Sequence, residues 1–332
     1  MNLKPLPGWA VLVILSLLSL WLSQLVVVGG KHPLEASALV IILGMLIANR
    51  LCLPAILEPG FKGSEKLLAW GIVLMGASLD LSKVFAESAS ILLIILCTMV
   101  IGGAATFAAA RIFALSRTFS WLLALGTVIC GGTAIAVAAP LIRAKDEETS
   151  YAVATISLWG LLALFLYPAF AAALGVSDFS FGVFAGTSIH STPQVVGAGF
   201  IYSELAGNTA TAIKLVRNCF IAPAALLAAI WFQSNQVGGG ISPGRGLLRA
   251  FPWFLFGFFL MSILYSRGVI SPSQGRSFSE AGKFLILLGM AGVGVNTKLA
   301  NIVRSGLRPL LVGLIGALTV ALTSAALIYS IL

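Results

Sequence analysis

The chain has 332 residues, of which 59% are hydrophobic and only 9% are charged. Soluble domains carry about 25% charged residues, so this composition excludes a soluble enzyme and indicates an integral membrane protein. The formal net charge of +9 comes mostly from basic residues in short loops, where they act as topology determinants, and it does not indicate a nucleic-acid partner.

Apolar segments follow one another from end to end, many near the length of about 20 residues that spans a bilayer as a helix. There are eleven of them, at roughly 8–28, 34–50, 66–80, 89–110, 119–142, 150–174, 179–198, 206–232, 247–266, 282–297 and 309–331. The longest loop, 233–246, contains three consecutive glycines and is typical of a flexible linker. We therefore predict an all-α membrane protein, with 1–332 forming a single multi-pass membrane domain of about eleven transmembrane helices.

Two of these segments are interrupted by glycines in a similar way. The fifth contains Cys130-Gly131-Gly132-Thr133, and the tenth contains the glycine-rich run 289–297. If segments 2–6 and 7–11 are two five-helix units, each interruption falls in the fourth helix, and the odd helix number inverts the second unit. Two alternatives remain open: the glycines permit only close helix packing, or, since the third segment resembles the tenth, the repeat register differs.

The predicted organisation is therefore two inverted repeats preceded by one additional helix. We assign 8–28 to the extra N-terminal helix, 34–174 to repeat 1 and 179–331 to repeat 2. Repeat 1 contains the broken helix 119–142, and repeat 2 contains the broken helix 282–305. Paired interruptions at corresponding positions indicate the binding site of a transporter.

A helix that restarts inside a membrane exposes free N–H groups and about half a positive charge at its N-terminus. Two such ends would bind an anion without help from charged side chains. The substrate-binding candidates at these ends are Cys130, Gly131, Gly132 and Thr133 in the fifth segment, and Gly294, Asn296 and Thr297 in the tenth. Cys130 has no base near it in sequence, so we interpret it as a packing residue rather than a nucleophile.

Two basic residues lie within the eighth apolar segment. Lys214 and Arg217 share a helical face with Asn208, Thr211 and Asn218. Placing a lysine or arginine at a helix centre costs roughly 2.5–3.5 kcal/mol on insertion scales, which indicates a functional pair whose partner is an anion. The alternative is that both side chains extend to the lipid headgroups.

The seventh segment is unusually polar for a membrane span. Ser188, His190 and Gln194 need partners in other helices or in a water-filled cavity, and Pro193 would kink a helix. His190 is either a proton carrier or a structural histidine bonded between helices. The acidic residues all fall in loops, at segment ends or just before a span, so no buried carboxylate for cation exchange is evident.

Nothing in the sequence indicates an enzyme. It contains no HExxH zinc site, no G-x-S-x-G nucleophile elbow and no phosphate-binding P-loop. The four cysteines show neither metal-ligand spacing nor a disulfide framework, so we expect no metal and no cofactor.

Several blocks of sequence resemble the YeiH-type sulfate exporter family of bacterial inner-membrane proteins. That family is similar to a wider superfamily of bile-acid/sodium symporters, cation/proton antiporters and auxin carriers. The blocks are 130–135, close to the family's Cys-Gly-x-Ser-Ala-Ile, then 145–148, 188–190 with 194–196, 214–217 with Pro223, and 292–297 with Gly306 and Pro309. The chain departs from the family at Ser191, where an acidic residue is frequent, and at Pro193, where a small residue is usual.

The resemblance implies broken helices that cross at the centre of a core domain and a panel domain that moves against it, with dimerisation through the panel. Together with the residues above, it predicts a secondary transporter of a small anion (sulfate, a sulfonate or a small carboxylate) in the bacterial inner membrane. H⁺ or Na⁺ would be the coupled ion. The alternatives are a sodium-coupled organic-acid importer and a passive channel or sensor built on a transporter fold.

Overall fold

The structure is entirely helical over the residues that it describes. This computed structural model describes residues 5–25, 36–51, 53–78, 88–233, 253–297, 300 and 306–332. Its α-helices are α1 (Leu6–Leu25), α2 (Ala36–Arg50), α3 (Glu58–Lys62), α4 (Ser64–Met75), α5 (Ser88–Ile112), α6 (Arg117–Val128), α7 (Gly132–Leu141), α8 (Asp146–Ala173), α9 (Asp178–Ser188), α10 (Thr192–Tyr202), α11 (Glu204–Asn218), α12 (Ile221–Gln233), α13 (Trp253–Ser266), α14 (Pro272–Asn296) and α15 (Leu307–Ile331). The predicted linker 233–246 lies outside the described residues from 234 onwards.

Five of the described helices are long and apolar enough to cross a membrane. They are Leu6–Leu25, Ala89–Ile112, Asp146–Ala173, Pro272–Asn296 and Leu307–Ile331. A helix needs about 20 residues to span the hydrocarbon core, and several other apolar segments fold as shorter helices or as two short helices in sequence. The chain is therefore a multi-pass helical membrane protein. The count of eleven spans and the inverted repeats stay predictions.

The described residues divide into two compact units. The first unit comprises Met1–Ala86 and Trp253–Leu299, and the second comprises Glu87–Pro252 and Ala300–Leu332. The first unit thus contains α1–α4, α13 and α14, and the second contains α5–α12 and α15. Of the predicted site residues, those at 130–217 belong to the second unit, and Gly294, Asn296 and Thr297 belong to the first.

In the first unit, α14 packs against α2 and α4. Small residues permit backbones to approach closely in membrane bundles. At Gly294, a Cβ atom would lie only 2.4 Å from the carbonyl oxygen of Ile41 on α2, so a side chain here would force the two helices apart. The glycines of α14 are packing positions.

Helix α14 continues through Gly289, Gly292 and Gly294, so a break in the tenth segment does not lie at these glycines. The helix ends only at Asn296, where Thr297 takes an extended backbone conformation. The chain is helical again at 300, but residues 298–299 and 301–305 lie outside the described residues, so the broken helix 282–305 stays a prediction.

In the second unit, apolar side chains of α6, α7 and α8 form a buried core with residues of α5, α12 and α15. A second cluster joins α5, α9 and α11. These two clusters include residues of three short helices, α6, α7 and α9, and a fourth short helix, α10, packs against α8 and α11.

Candidate functional site

The first helix interruption separates α6 from α7. Helix α6 ends at Val128 and α7 begins at Gly132, inside the segment in which a broken helix is expected. Between them Gly131 adopts φ +68° and ψ −123°, a conformation that residues with a Cβ rarely take. No side chain caps the start of α7, so the N–H groups of its first turn have no side-chain acceptor at this position.

A second interruption separates α9 from α10. Helix α9 ends at Ser188, and α10 begins at Thr192 after Ile189, His190 and Ser191. Pro193 occupies the first turn of α10, where its missing N–H costs nothing, so it helps to start a helix instead of kinking a continuous one. The side-chain oxygen of Gln194 accepts the backbone N–H of Ser191 at 3.4 Å, which is one half of a capping box.

The two interruptions contact each other. A Cβ atom at Gly131 would lie 3.2 Å from the Cβ of Ser191. Nδ1 of His190, in the second interruption, is 3.2 Å from the carbonyl oxygen of Thr127, in the last turn of α6. Because a carbonyl only accepts, Nδ1 carries the proton and donates it to Thr127. Two interrupted helices therefore meet inside one unit, and they belong to the fifth and seventh segments.

Lys214 of α11 binds both interruptions. It is 0% exposed, and its Nζ donates to the carbonyl oxygens of Ile129 at 2.6 Å, Ile189 at 2.9 Å and His190 at 2.5 Å. An ammonium group has three N–H donors, and each has a carbonyl acceptor here.

Arg217, one helical turn further along α11, binds the C-terminal ends of α6 and α9. It is also 0% exposed. Its Nε and Nη2 donate to the carbonyl oxygen of Val128, at 3.2 and 2.7 Å, and its Nη1 donates to Gly186 at 2.8 Å and Ile189 at 3.2 Å. Val128 and Gly186 lie in the last turns of α6 and α9, and Ile189 directly follows α9. Carbonyl groups at a helix C-terminus have no N–H donor within their own helix.

The burial of both cations corrects two sequence interpretations. Their side chains do not extend to headgroups, because both are enclosed by protein. They also do not lie open in a pocket, because their nitrogen atoms are bonded to backbone carbonyls.

The charge of this cluster is not balanced by acidic side chains. Among the described residues, no acidic side chain pairs with Lys214 or Arg217, and the ion pair between Lys62 and Glu58 lies in the first unit. Each helix C-terminus carries about −0.5 charge, so the ends of α6 and α9 together offset about one of the two positive charges. The starts of α7 and α10 add about +0.5 each, which leaves the cluster strongly electropositive.

The remaining candidates differ in what they contact. The hydroxyl of Ser188 donates to Phe184 on its own helix at 2.6 Å, and Nε2 of Gln194 donates to the Ser157 carbonyl of α8 at 3.1 Å. The Ser188 side chain therefore bonds within its own helix, and the Gln194 side chain joins α10 to α8. Thr133 is exposed in the first turn of α7, next to Gly132, and Cys130 is buried beside it. Thr133 and the first N–H groups of α7 are therefore the accessible donors.

Three buried polar atoms near the interruptions have no hydrogen-bond partner. They are Oγ1 of Thr127, Nε2 of His190 and Oδ1 of Asn218, whose Nδ2 donates to the Thr192 hydroxyl at 3.2 Å. Since Nδ1 of His190 holds the proton, Nε2 is an acceptor without a donor, as expected of an atom that meets water or a ligand O–H.

Asn296 and Thr297 are bonded inside the first unit. Nδ2 of Asn296 donates to the Phe61 carbonyl at 3.1 Å, and the carbonyl of Thr297 accepts Nδ2 of Asn49 at 2.8 Å. The Thr297 hydroxyl donates to Val293 of its own helix at 2.7 Å. These residues end α14, and residues 298–299, which follow them, lie outside the described part.

The second unit also contains an apolar cavity of about 530 Å³. Its lining includes Tyr167, Phe170, Phe184 and Tyr329, and it contains none of the predicted site residues. A cavity with so few polar groups does not suit a small anion.

Sequence reasoning missed three features of this site. The carbonyls of Val128, Ile129 and Ile189 carry no side-chain signal. Thr192 and Asn218 were not singled out as a pair. The start of α10 did have a signal, because Ser191-Thr-Pro-Gln194 combines a capping-box spacing with a proline in the first turn.

These features define a polytopic helical membrane protein with two contacting helix interruptions and a buried cationic pair. A family model described as "Conserved hypothetical protein 698" matches residues 7–313. The chain belongs to this family, the UPF0324 membrane proteins.

Three UPF0324 membrane proteins show the extent of the similarity. One from Streptococcus pneumoniae is 35% identical over 306 residues, covering 89% of this chain and 90% of that protein. One from Bacillus cereus is 30% identical over 268 residues, covering 81% and 78%. One from Clostridium tetani is 27% identical over 323 residues, covering 94% and 93%.

Proposed function

We propose that this protein is a secondary transporter of a small anion, such as sulfate, a sulfonate or a small carboxylate, in a bacterial plasma membrane. The observation that carries the proposal is the pair Lys214 and Arg217, fully buried without an acidic partner among the described residues. Burying two charges costs several kcal/mol each, and their retention at a helix interruption indicates that the positive potential is used.

The anion would bind at the start of α7. There it would accept hydrogen bonds from the N–H groups of Gly132 and Thr133 and from the Thr133 hydroxyl. Lys214 and Arg217 lie behind this end and hold the carbonyls of Val128 and Ile129. Their charges cancel the repulsion between those carbonyls and the anion, and the low dielectric strengthens the attraction.

His190 would contribute an acceptor. Its free Nε2 would take a hydrogen bond from a water molecule or from the O–H of a protonated oxyanion.

Transport by alternating access is the mechanism that the family resemblance implies. In this proposal a core containing the interruptions moves against a panel, and the anion enters from one side at a time. Saturable flux and counterflow distinguish this from a passive channel, and binding without flux would indicate a sensor.

The test is counterflow in proteoliposomes. Purified protein is reconstituted with unlabelled sulfate inside, and uptake of labelled sulfate, methanesulfonate and acetate is measured. We expect transient accumulation of at least one anion. Lys214→Ala and Arg217→Ala should each reduce it at least tenfold, whereas Arg117→Ala, which removes an exposed charge from the start of α6, should leave it unchanged. Accumulation at the wild-type rate in both buried variants would reject the proposal.

A further inference from the structure

Three backbone carbonyls converge on one point between the two interruptions. They belong to Ile129 of the first interruption and to Ile189 and His190 of the second, and all three accept from Nζ of Lys214 within 2.9 Å. None of these carbonyls accepts a helical hydrogen bond, because α6 and α9 end just before these residues. The fold itself therefore creates a small cage of oxygen atoms.

A cage of this kind is suited to a small monovalent cation. In transporters with discontinuous helices, unwound carbonyls and half-helix C-termini coordinate the coupling Na⁺. Carbonyl oxygens can replace the hydration shell of such an ion. Here the ammonium of Lys214 is a compact point charge with three donors, and it matches the three oxygens one for one.

We propose that this carbonyl cage is a cation site whose permanent occupant is the Lys214 ammonium, so that the protein requires no bound sodium at the helix interruptions. The covalently attached charge replaces the exchangeable ion. Arg217 reinforces this arrangement, because it shares the Ile189 carbonyl and its fixed charge opposes entry of a second cation. The inference does not depend on anion transport, since it concerns the occupancy of the cage and is measured by stability.

The inference predicts that removing the side chain opens the cage to external cations. Lys214→Ala deletes the propylammonium group beyond Cβ and leaves a cavity bordered by the three carbonyls. Lys214→Met also removes the charge, but its side chain fills the same space. Small cations should therefore stabilise the alanine variant and not the methionine variant.

Thermal unfolding of the purified wild type and both variants in detergent tests this directly. Each is measured in sodium chloride, methylammonium chloride or choline chloride at one ionic strength. Choline is the baseline, because it has no N–H donor and is too large for the cage. The wild-type midpoint should be the same in all three salts. Lys214→Ala should melt about 2 °C or more higher in sodium or methylammonium than in choline, and Lys214→Met should show no such rise.

Two results would overturn the inference. One is a sodium-specific increase in the midpoint of the wild type, which would show that a sodium site exists beside the lysine. The other is an alanine variant that responds to cations no more than the methionine variant. If Lys214→Ala does not accumulate, the wild-type comparison decides alone: equal midpoints support the inference and a sodium-specific rise rejects it. A failure of anion counterflow would leave these outcomes unchanged.

Discussion

Lys214 and Arg217 donate hydrogen bonds to the same carbonyl oxygen, that of Ile189, at 2.9 and 3.2 Å. Two like charges thus share one acceptor in a fully buried position. This arrangement holds because each cation also binds carbonyls that the other does not reach: Ile129 and His190 for the lysine, Val128 and Gly186 for the arginine.

The shared acceptor predicts that the two residues are energetically coupled. Lys214→Met and Arg217→Met should each lower the free energy of unfolding by about 2–6 kcal/mol. Each substitution leaves two buried carbonyls without a donor, at about 1–3 kcal/mol per group. The double variant should lose about 1–3 kcal/mol more than the sum, since only then does Ile189 lose both donors. Denaturant unfolding in detergent gives the cycle. Leu215→Met, at a buried neighbour, is the control and should cost less than about 1.5 kcal/mol. Additive losses would show that the pair acts independently.

The contact between the interruptions predicts a specific cost at Gly131. In Gly131→Ala, the alanine must adopt a φ of +68°, and its Cβ atom would lie 3.2 Å from the Cβ of Ser191. The backbone strain alone costs about 1–3 kcal/mol. Gly175→Ala is the matched control, because Gly175 has φ +66° and nothing within 4 Å of the added atom. We expect Gly131→Ala to unfold at a lower temperature than Gly175→Ala. Equal losses would mean that the contact between the interruptions contributes nothing to stability.

Gly160 makes room for the amide that joins α10 to α8. A Cβ at Gly160 would lie within 1.9 Å of Oε1 of Gln194, whose Nε2 binds the Ser157 carbonyl. Gly160→Ala should therefore displace the amide and destabilise the protein by about 1–3 kcal/mol. Gln194→Ala, introduced into Gly160→Ala, should recover part of the loss. A double variant less stable than Gly160→Ala would show that the clash is not the cause.

Thr133 provides the sharpest test of the anion site, because it is exposed and stabilises little. Thr133→Val removes one hydroxyl donor at constant volume and should raise the KM for the transported anion roughly tenfold, the effect of one lost hydrogen bond to a charged group. Thr133→Ser keeps the hydroxyl and should stay within about threefold of the wild type. Thr319→Val on α15, whose hydroxyl binds its own helix, controls for the loss of any threonine hydroxyl. An unchanged KM in Thr133→Val would place the anion elsewhere.

The sequence was sufficient to predict a helical membrane protein and one interrupted segment, and it singled out the basic pair Lys214 and Arg217. Composition determines the first, and the glycine pair at Gly131-Gly132 together with the cost of burying Lys214 and Arg217 determines the others. The tenth segment has a similar glycine pattern but remains helical through Gly294, which faces the Ile41 backbone, and its helix ends only at Asn296. Glycine permits both a break and close packing, and only the neighbouring helix decides which occurs.

The partners of the basic pair could not be predicted in the same way. The acceptors are main-chain carbonyls of Val128, Ile129 and Ile189, and any residue type supplies the same oxygen. Their availability depends on where α6 and α9 end, and helix ends are set by packing more than by local sequence. The seventh segment was expected to be polar for the sake of a substrate, whereas much of its polarity serves the start of α10.

The cage described above has a consequence for motion. Helix α11 is fastened through two side chains to the ends of α6 and α9, and α7 and α10 follow those ends within three residues. Shifting α6, α9 or α11 alone would break several of these short bonds at once, and short connections of three residues tie α7 to α6 and α10 to α9. A conformational cycle that exposes the start of α7 to either side of the bilayer would therefore displace all five as a single rigid block, with its hinges in the surrounding connections.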